Sequence, residues 1–315
     1  MLTIALLLII GIALLYLGAE GLIRGASSVS LRWGLSPLFI GLTIVAFGTS
    51  APELVVSIEA AVKMHGAISI GNVVGSNIFN IAVILGLSAL ICPLKIHRQL
   101  VIIDMPILIG VSVLFFLFFL DFQVSRFEGL IFFLGIVGYT IFSLIYAKKQ
   151  FQKGIELIHE DDIPKPTQSV TMDFIFIAGG LGALIAGSHL FVDGSIRLAR
   201  ILNISEAVIG LTIVSIGTSL PELATSVVAA IRKEADIAVG NIVGSNIFNI
   251  LSILGIASLI KPIDGTGIAM TDMFVMIMTA VILLPLMRTG FSIKRLEGAL
   301  LLLVYAGYLF YLWPK

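Results

Sequence analysis

The chain has 315 residues, 58% hydrophobic and 12% charged, with no formal net charge and a mean hydropathy of +1.12. Soluble domains carry about a quarter charged residues, so this balance excludes a soluble globular enzyme and points to an all-α polytopic membrane protein. The zero charge argues against an extended nucleic-acid surface, and a lone cysteine, Cys92, excludes an intrachain disulfide or a cysteine metal cluster.

Ten apolar runs are predicted as transmembrane helices, at 2–23, 37–62, 68–91, 100–120, 127–147, 171–198, 206–231, 237–260, 270–288 and 296–313. They leave no room for a sizeable soluble domain. The first run lacks a basic leader and leads into more membrane sequence, so it reads as a span and not a cleaved signal. The second contains "GLTIVAFGTSAPEL", in which Thr49, Ser50, Pro52 and Glu53 interrupt apolar sequence. Ser50 with Glu53 three residues later reads as a capping box, and Pro52 fits a first helical turn. Pro52 has no N–H and would clash with the carbonyl of Gly48 in a continuous helix. The span is therefore predicted as two half-helices broken around Gly48–Ser50, with carbonyls near Ala46 and Phe47 freed as oxygen ligands. Such a break survives at membrane depth only when buried in protein or lining a wet cavity.

The third run carries "GNVVGSNIFNI". Asn72, Ser76 and Asn80 recur every four residues and share a helix face, while Gly71 and Gly75 form a small-xxx-small pair suited to close helix packing. After the fifth run, Lys148–Thr167 is charged and holds two prolines, and reads as a solvated loop between halves. The halves are 1–147 and 171–315, joined by a cytoplasmic connection at 148–170.

The second half repeats the first. Displaced by 169 residues, Gly41–Leu94 aligns with Gly210–Ile263 without a gap, and more than half of the paired residues are identical. "GLTIVAFGTSAPEL" returns as "GLTIVSIGTSLPEL", "GNVVGSNIFNI" as "GNIVGSNIFNI", and "RFEG" at 126–129 as "RLEG" at 295–298. Five spans per half is an odd number, so the second copy enters the membrane from the opposite side, an inverted-topology repeat. Placing both termini outside puts thirteen Lys and Arg residues in the inner loops and six outside, as the positive-inside rule expects.

An intramembrane carboxylate is a functional candidate by default. Inverted symmetry brings Glu53 toward its counterpart Glu222 near the midplane, where the two repel unless a cation lies between them. Ser76, Asn80, Ser245 and Asn249 add neutral oxygens. An all-oxygen set suits a hard cation, Na⁺, Ca²⁺, Mg²⁺ or K⁺, and not a soft metal.

At these residues the sequence resembles the calcium/cation antiporter superfamily, most closely its prokaryotic sodium/calcium exchangers. "GTSAPE…GNVVGSNIFN" and "GTSLPE…GNIVGSNIFN" are similar to that family's paired repeats. The resemblance implies a secondary antiporter exchanging Na⁺ for Ca²⁺ across the plasma membrane by alternating access, with no cofactor and no enzymatic activity. It implies four ion sites on spans 2, 3, 7 and 8, with Glu53 and Glu222 as principal ligands. Thr49, Ser50, Ser76, Thr218, Ser219 and Ser245 would supply hydroxyl or carbonyl oxygens, Ala46 and Ser215 backbone carbonyls. Spans 1 and 6 would slide past this core. Some relatives carry an aspartate at the position of Asn249; this chain has asparagine there and at Asn80, and so two carboxylates. The protein is expected to work as a monomer in lipid, with no nucleic-acid partner. The alternatives are coupling to H⁺ or K⁺, or a passive cation channel. No mid-span pair of aspartates, nucleotide-binding loop or zinc-type histidine motif supports a membrane enzyme.

Other polar residues read more plainly. Glu59 is expected to snorkel at the interface, Glu20 to pair with Arg24, Asp193 with Arg197, and His189 to pack. His159, Glu160, Asp161 and Asp162 read as a solvated cluster, and the phenylalanines of "VLFFLFFLDF" as lipid-facing or packing residues.

Overall fold

The computed structural model describes residues 2–152, 166–202 and 215–312. They form helices α1 (Leu2–Trp33), α2 (Pro37–Thr49), α3 (Ala51–Val62), α4 (Gly66–Ile91), α5 (Leu100–Asp121), α6 (Arg126–Gln150) and α7 (Val170–Ile201). The single turn α8 (Ser215–Gly217) and α9 (Leu220–Ile231) follow, then α10 (Ala235–Ile260), α11 (Met270–Arg288) and α12 (Arg295–Leu312). Among the described residues, eight helices are long and apolar enough to cross a membrane, or nine if α2 and α3 count as one bent span. The shorter α9 is apolar as well. The predicted run 206–231 is described only from Ser215 onward, and the cluster His159–Asp162 also lies outside the described residues.

The most enclosed helices are α10 and α4, and α12 is the most exposed. Two short antiparallel ladders tie the halves together. In one, β1 (Leu94–Lys95) pairs with β4 (Ser292–Ile293), Leu94 opposite Ile293. In the other, β2 (Gln123–Val124) pairs with β3 (Ile263–Asp264), Val124 opposite Ile263. Leu94 corresponds to Ile263 in the repeat and Val124 to Ile293, so the two ladders are the same contact made reciprocally. Such exchange of equivalent residues marks a self-complementary, two-fold interface.

Helices α1 and α7 pack antiparallel along most of their lengths. Their mating faces carry glycines every seven residues, Gly11, Gly18 and Gly25 against Gly180, Gly187 and Gly194. A Cβ on Gly180 would sit 2.6 Å from the Leu22 amide nitrogen, and one on Gly18 2.8 Å from the Gly180 carbonyl oxygen. Without a hydrophobic drive between lipid-bathed helices, such backbone proximity supplies the packing that holds them.

Several expectations are corrected. Helix α1 runs ten residues beyond its predicted end, to Trp33, because Arg32 finds a partner: its Nε lies 2.7 Å from Asp173 Oδ2 in the first turn of α7. Lys148 and Lys149 lie within α6 and not in a loop. The far end of the connection is held down, since the Thr167 amide donates to Ser28 Oγ at 2.9 Å and its hydroxyl to Asp173. Glu20 does not pair with Arg24. It takes both arms of the Arg232 guanidinium, just beyond α9, while Arg24 lies over the Phe176 ring. Tertiary packing brings Arg232 within reach, and an exposed i,i+4 pair is worth too little to compete. His189 is exposed, not packed. Arg197 and Asp193 do pair, and Glu59 is exposed and bound to Lys63. Phe115 and Phe119 are fully buried.

Replacing Gly180 with valine is expected to lower stability by about 1–3 kcal/mol, the usual range for overpacking. Gly179→Val serves as control, because a Cβ there meets nothing within 4 Å. Melting of the two purified variants in detergent should separate them clearly.

Candidate cation site

The site is built where each half's broken helix meets the other half. Ser36 caps α2 through the Phe39 amide, with Pro37 at its first position. The helix widens to π geometry over Gly41–Val45 and recovers over Ala46–Thr49. Ser50 then interrupts it with φ −82° and ψ 5°, and the axis turns by 45° into α3. Pro52 and Glu53 occupy the first turn of α3, as Pro221 and Glu222 do in α9. Wide π turns also begin at Asn80 in α4 and Asn249 in α10. Such turns concentrate at functional sites.

The break is where the sequence places it, but its chemistry differs. Ser50 and Ser219 make no side-chain cap on their own helices. Ser50 Oγ donates across the molecule to Glu222 Oε1 at 2.9 Å, and Ser219 Oγ donates to Glu53 Oε1 at 3.0 Å. The capping-box expectation is therefore corrected: the opposite half's carboxylate outcompetes the local backbone N–H, because a charge-assisted hydrogen bond is the stronger. The Ala46 carbonyl is not freed either. It still accepts the Ser50 amide at 3.0 Å, and the Ser245 hydroxyl lies 3.4 Å from it.

Around the glutamates the contacts are again reciprocal. Asn72 Nδ2 donates to the Glu53 carbonyl at 3.1 Å and to Ser57 Oγ at 2.9 Å. Asn241 Nδ2 donates to the Glu222 carbonyl at 3.5 Å and to Ser226 Oγ at 2.9 Å. Thr49 Oγ1 donates to Asn241 Oδ1 at 3.0 Å, and Thr218 Oγ1 to Asn72 Oδ1 at 3.5 Å. Ser76 Oγ lies 3.2 Å from Ser219 Oγ. Deeper in, Asn80 Nδ2 donates to Asn246 Oδ1 at 2.9 Å and Asn249 Nδ2 to Asn77 Oδ1 at 3.0 Å.

Thr49, Ser50, Glu53, Ser76, Asn80, Ser219, Glu222, Ser245 and Asn249 are all buried, and Thr218 is partly buried. The backbone of Ser215 opens α8. Four acceptor atoms in this group have no hydrogen-bond donor: Glu53 Oε2, Glu222 Oε2, Asn80 Oδ1 and Asn249 Oδ1. They are two pairs of repeat equivalents. A buried acceptor without a donor is costly, and a bound cation is the chemistry that would satisfy such oxygens. Among the described residues no group of three His, Cys, Asp or Glu side chains is placed for a metal, so a cation here would be held largely by neutral oxygens. A narrow cleft with room for about a single water molecule, lined by Phe47, Ser50, Ala51, Leu54, Phe248, Ser252 and Ile253, reaches the edge of this group at Ser50.

Sequence reasoning passed over Asn77, Asn241, Asn246, Ser57 and Ser226, which frame the site. Asn241 is the counterpart of Asn72 on the four-residue face of the second copy, Asn77 and Asn246 lie off that face, and Ser57 and Ser226 lie on α3 and α9; the signal for all five was identity between the two copies.

A family model described as sodium/calcium exchanger protein matches residues 3–145 and 172–313. The sodium/calcium exchanger MaX1 of Methanosarcina acetivorans is 34% identical, over 96% of this chain and 97% of its own. The inner membrane protein YrbG of Escherichia coli is 35% identical, over 90% and 88%. Among solved structures, the sodium-calcium exchanger NCX_Mj, soaked with zero Na⁺ and Ca²⁺, superposes with a TM-score of 0.85 at 30% identity, covering 99% of each chain.

Ser50→Ala and Ser219→Ala are each expected to cost about 1.5–3 kcal/mol, the worth of a hydrogen bond to a charged group. Ser27→Ala, which removes a buried hydroxyl with no partner, should shift the melting midpoint far less. Thermal denaturation without added cation checks both.

Proposed function

The chain belongs to the sodium/calcium exchanger protein family, a family of membrane cation antiporters, and from that premise we propose that it exchanges Na⁺ for Ca²⁺ by alternating access. The observation that carries this reading is the set of four donor-less buried oxygens, on Glu53, Glu222, Asn80 and Asn249. Calcium takes six to eight oxygen ligands in flexible geometry. The paired glutamates, the hydroxyls of Thr49, Ser50, Ser76, Thr218, Ser219 and Ser245, the amide oxygens of Asn80 and Asn249, the Ser215 carbonyl and the second lone pair of the Ala46 carbonyl, whose first stays with the Ser50 amide, make up such a set. Two carboxylates balance one Ca²⁺ or two Na⁺. The two ions then compete for the same charge, and that competition couples their movements.

Exchange requires the site to open to one side at a time. In this reading the chain forms ten spans as two five-helix repeats of opposite orientation, 1–147 and 171–315, joined by a cytoplasmic connection, with 206–231 as the seventh span. The two-fold exchange of contacts between equivalent residues supports it. The antiparallel pair α1 and α7 moves as one body past the core, because the contact between the two helices is far more extensive than the contact of either with any other element. Both termini face outward from a plasma membrane, following the distribution of Lys and Arg, and a single chain contains the whole site.

In proteoliposomes loaded with Na⁺, dilution into Na⁺-free medium should drive ⁴⁵Ca²⁺ uptake. Glu53→Gln and Glu222→Gln should each abolish it. Unimpaired uptake in both variants would sink the site assignment. Uptake driven by a K⁺ or pH gradient without Na⁺ would replace the counter-ion, and flux indifferent to any counter-ion would mean a passive channel.

A further inference from the structure

Asn80 and Asn249 can help hold a cation only if they offer it oxygen. A side-chain amide has nearly the same shape either way round, and a flip replaces an acceptor with a donor. Something must therefore fix the orientation. Asn77 and Asn246, which are also fully buried, are placed to do so. Asn77 Nδ2 donates to the main-chain carbonyl of Asn246 at 3.3 Å, and Asn246 Nδ2 donates to the main-chain carbonyl of Asn77 at 3.3 Å. A main-chain carbonyl only accepts, so each of these two amides must present nitrogen to it and turn its oxygen the other way. That oxygen receives the Nδ2 hydrogen of the neighbouring amide, from Asn249 onto Asn77 and from Asn80 onto Asn246. With Nδ2 engaged, Asn249 and Asn80 are left with Oδ1 free, and those are two of the four donor-less oxygens of the site.

We infer that Asn77 and Asn246 are positioning residues: they pass the fixed polarity of two backbone carbonyls to Asn249 and Asn80, so that both present Oδ1 to the cation. The inference rests on the cation-site reading above. It assigns a task to residues that do not touch the ion, and it makes each half responsible for a ligand of the other. Partners that orient metal ligands commonly change affinity about 10–100-fold when lost.

The two roles open to Asn77, framework and orientation, use different atoms, so substitutions separate them. Asn77→Asp keeps an acceptor for Asn249 whether or not the carboxyl is protonated. Asn77→Leu keeps the bulk and removes the acceptor. Calcium binding by calorimetry in detergent, with KM and Vmax for uptake, is the measurement. Asn77→Leu is expected to weaken Ca²⁺ binding and raise KM about tenfold or more with Vmax largely kept. Asn77→Asp should stay well short of that roughly tenfold loss, and the pair Asn246→Leu and Asn246→Asp should behave alike through Asn80. Where a leucine variant does not purify as a monodisperse protein, alanine takes its place. Equal losses in the Asp and Leu variants, or unchanged binding in both, would overturn the inference. A parent protein that binds and moves no Ca²⁺ would instead overturn the proposed function.

Discussion

Two carboxylates buried in an apolar interior constrain everything around them. Glu53 and Glu222 are almost wholly sequestered, and each receives a hydroxyl on one oxygen and no donor on the other. Several kcal/mol is the ordinary penalty for an ion so placed, and one serine hydrogen bond offsets only part of it. In the proposed reading a cation takes up the charge that remains. The buried charge also explains why Ser50 and Ser219 abandon their own helix termini for a carboxylate on the opposite half.

The framework that carries this charge is a two-fold exchange of contacts. Serine to glutamate, threonine to asparagine and the asparagine pairs all recur with the halves interchanged. The same holds for the ladders at the loop ends. Where the repeat is broken, the periphery differs. Lys63 is satisfied within its own helix by Glu59, while its counterpart Arg232 has valine at the matching position and reaches Glu20 on α1 instead. The inner residues are thus held to symmetry by the pairing itself, and the outer ones are free to depart from it.

Much of the site was legible in the residues. Pro52 and Pro221 locate the helix breaks because a ring without an N–H leaves little choice. The duplicated carboxylates announce themselves because an unpaired charge among apolar residues is costly. The asparagine frame was not legible. Asn77 sits three residues before Asn80, and nothing in that spacing says whether its amide faces lipid, a neighbouring helix or the ion. The π turns at Asn80 and Asn249 were equally hidden, since "NIFNI" is as good an α-helix as a wide one. Pairings such as Glu20 with Arg232 depend on residues more than two hundred positions apart.

The sequence by itself determined the membrane class, the duplication, the positions of the helix breaks and the two glutamates. These follow from local chemistry: apolar length, a missing N–H, and charge where charge is expensive. Only the tertiary structure decided which donor each glutamate receives, which way the asparagine amides point and which cation meets Glu20. Hydrogen bonds and ion pairs of that kind are contests between near and distant partners. Their outcome is set by which groups the packing of the two halves brings within about 3 Å.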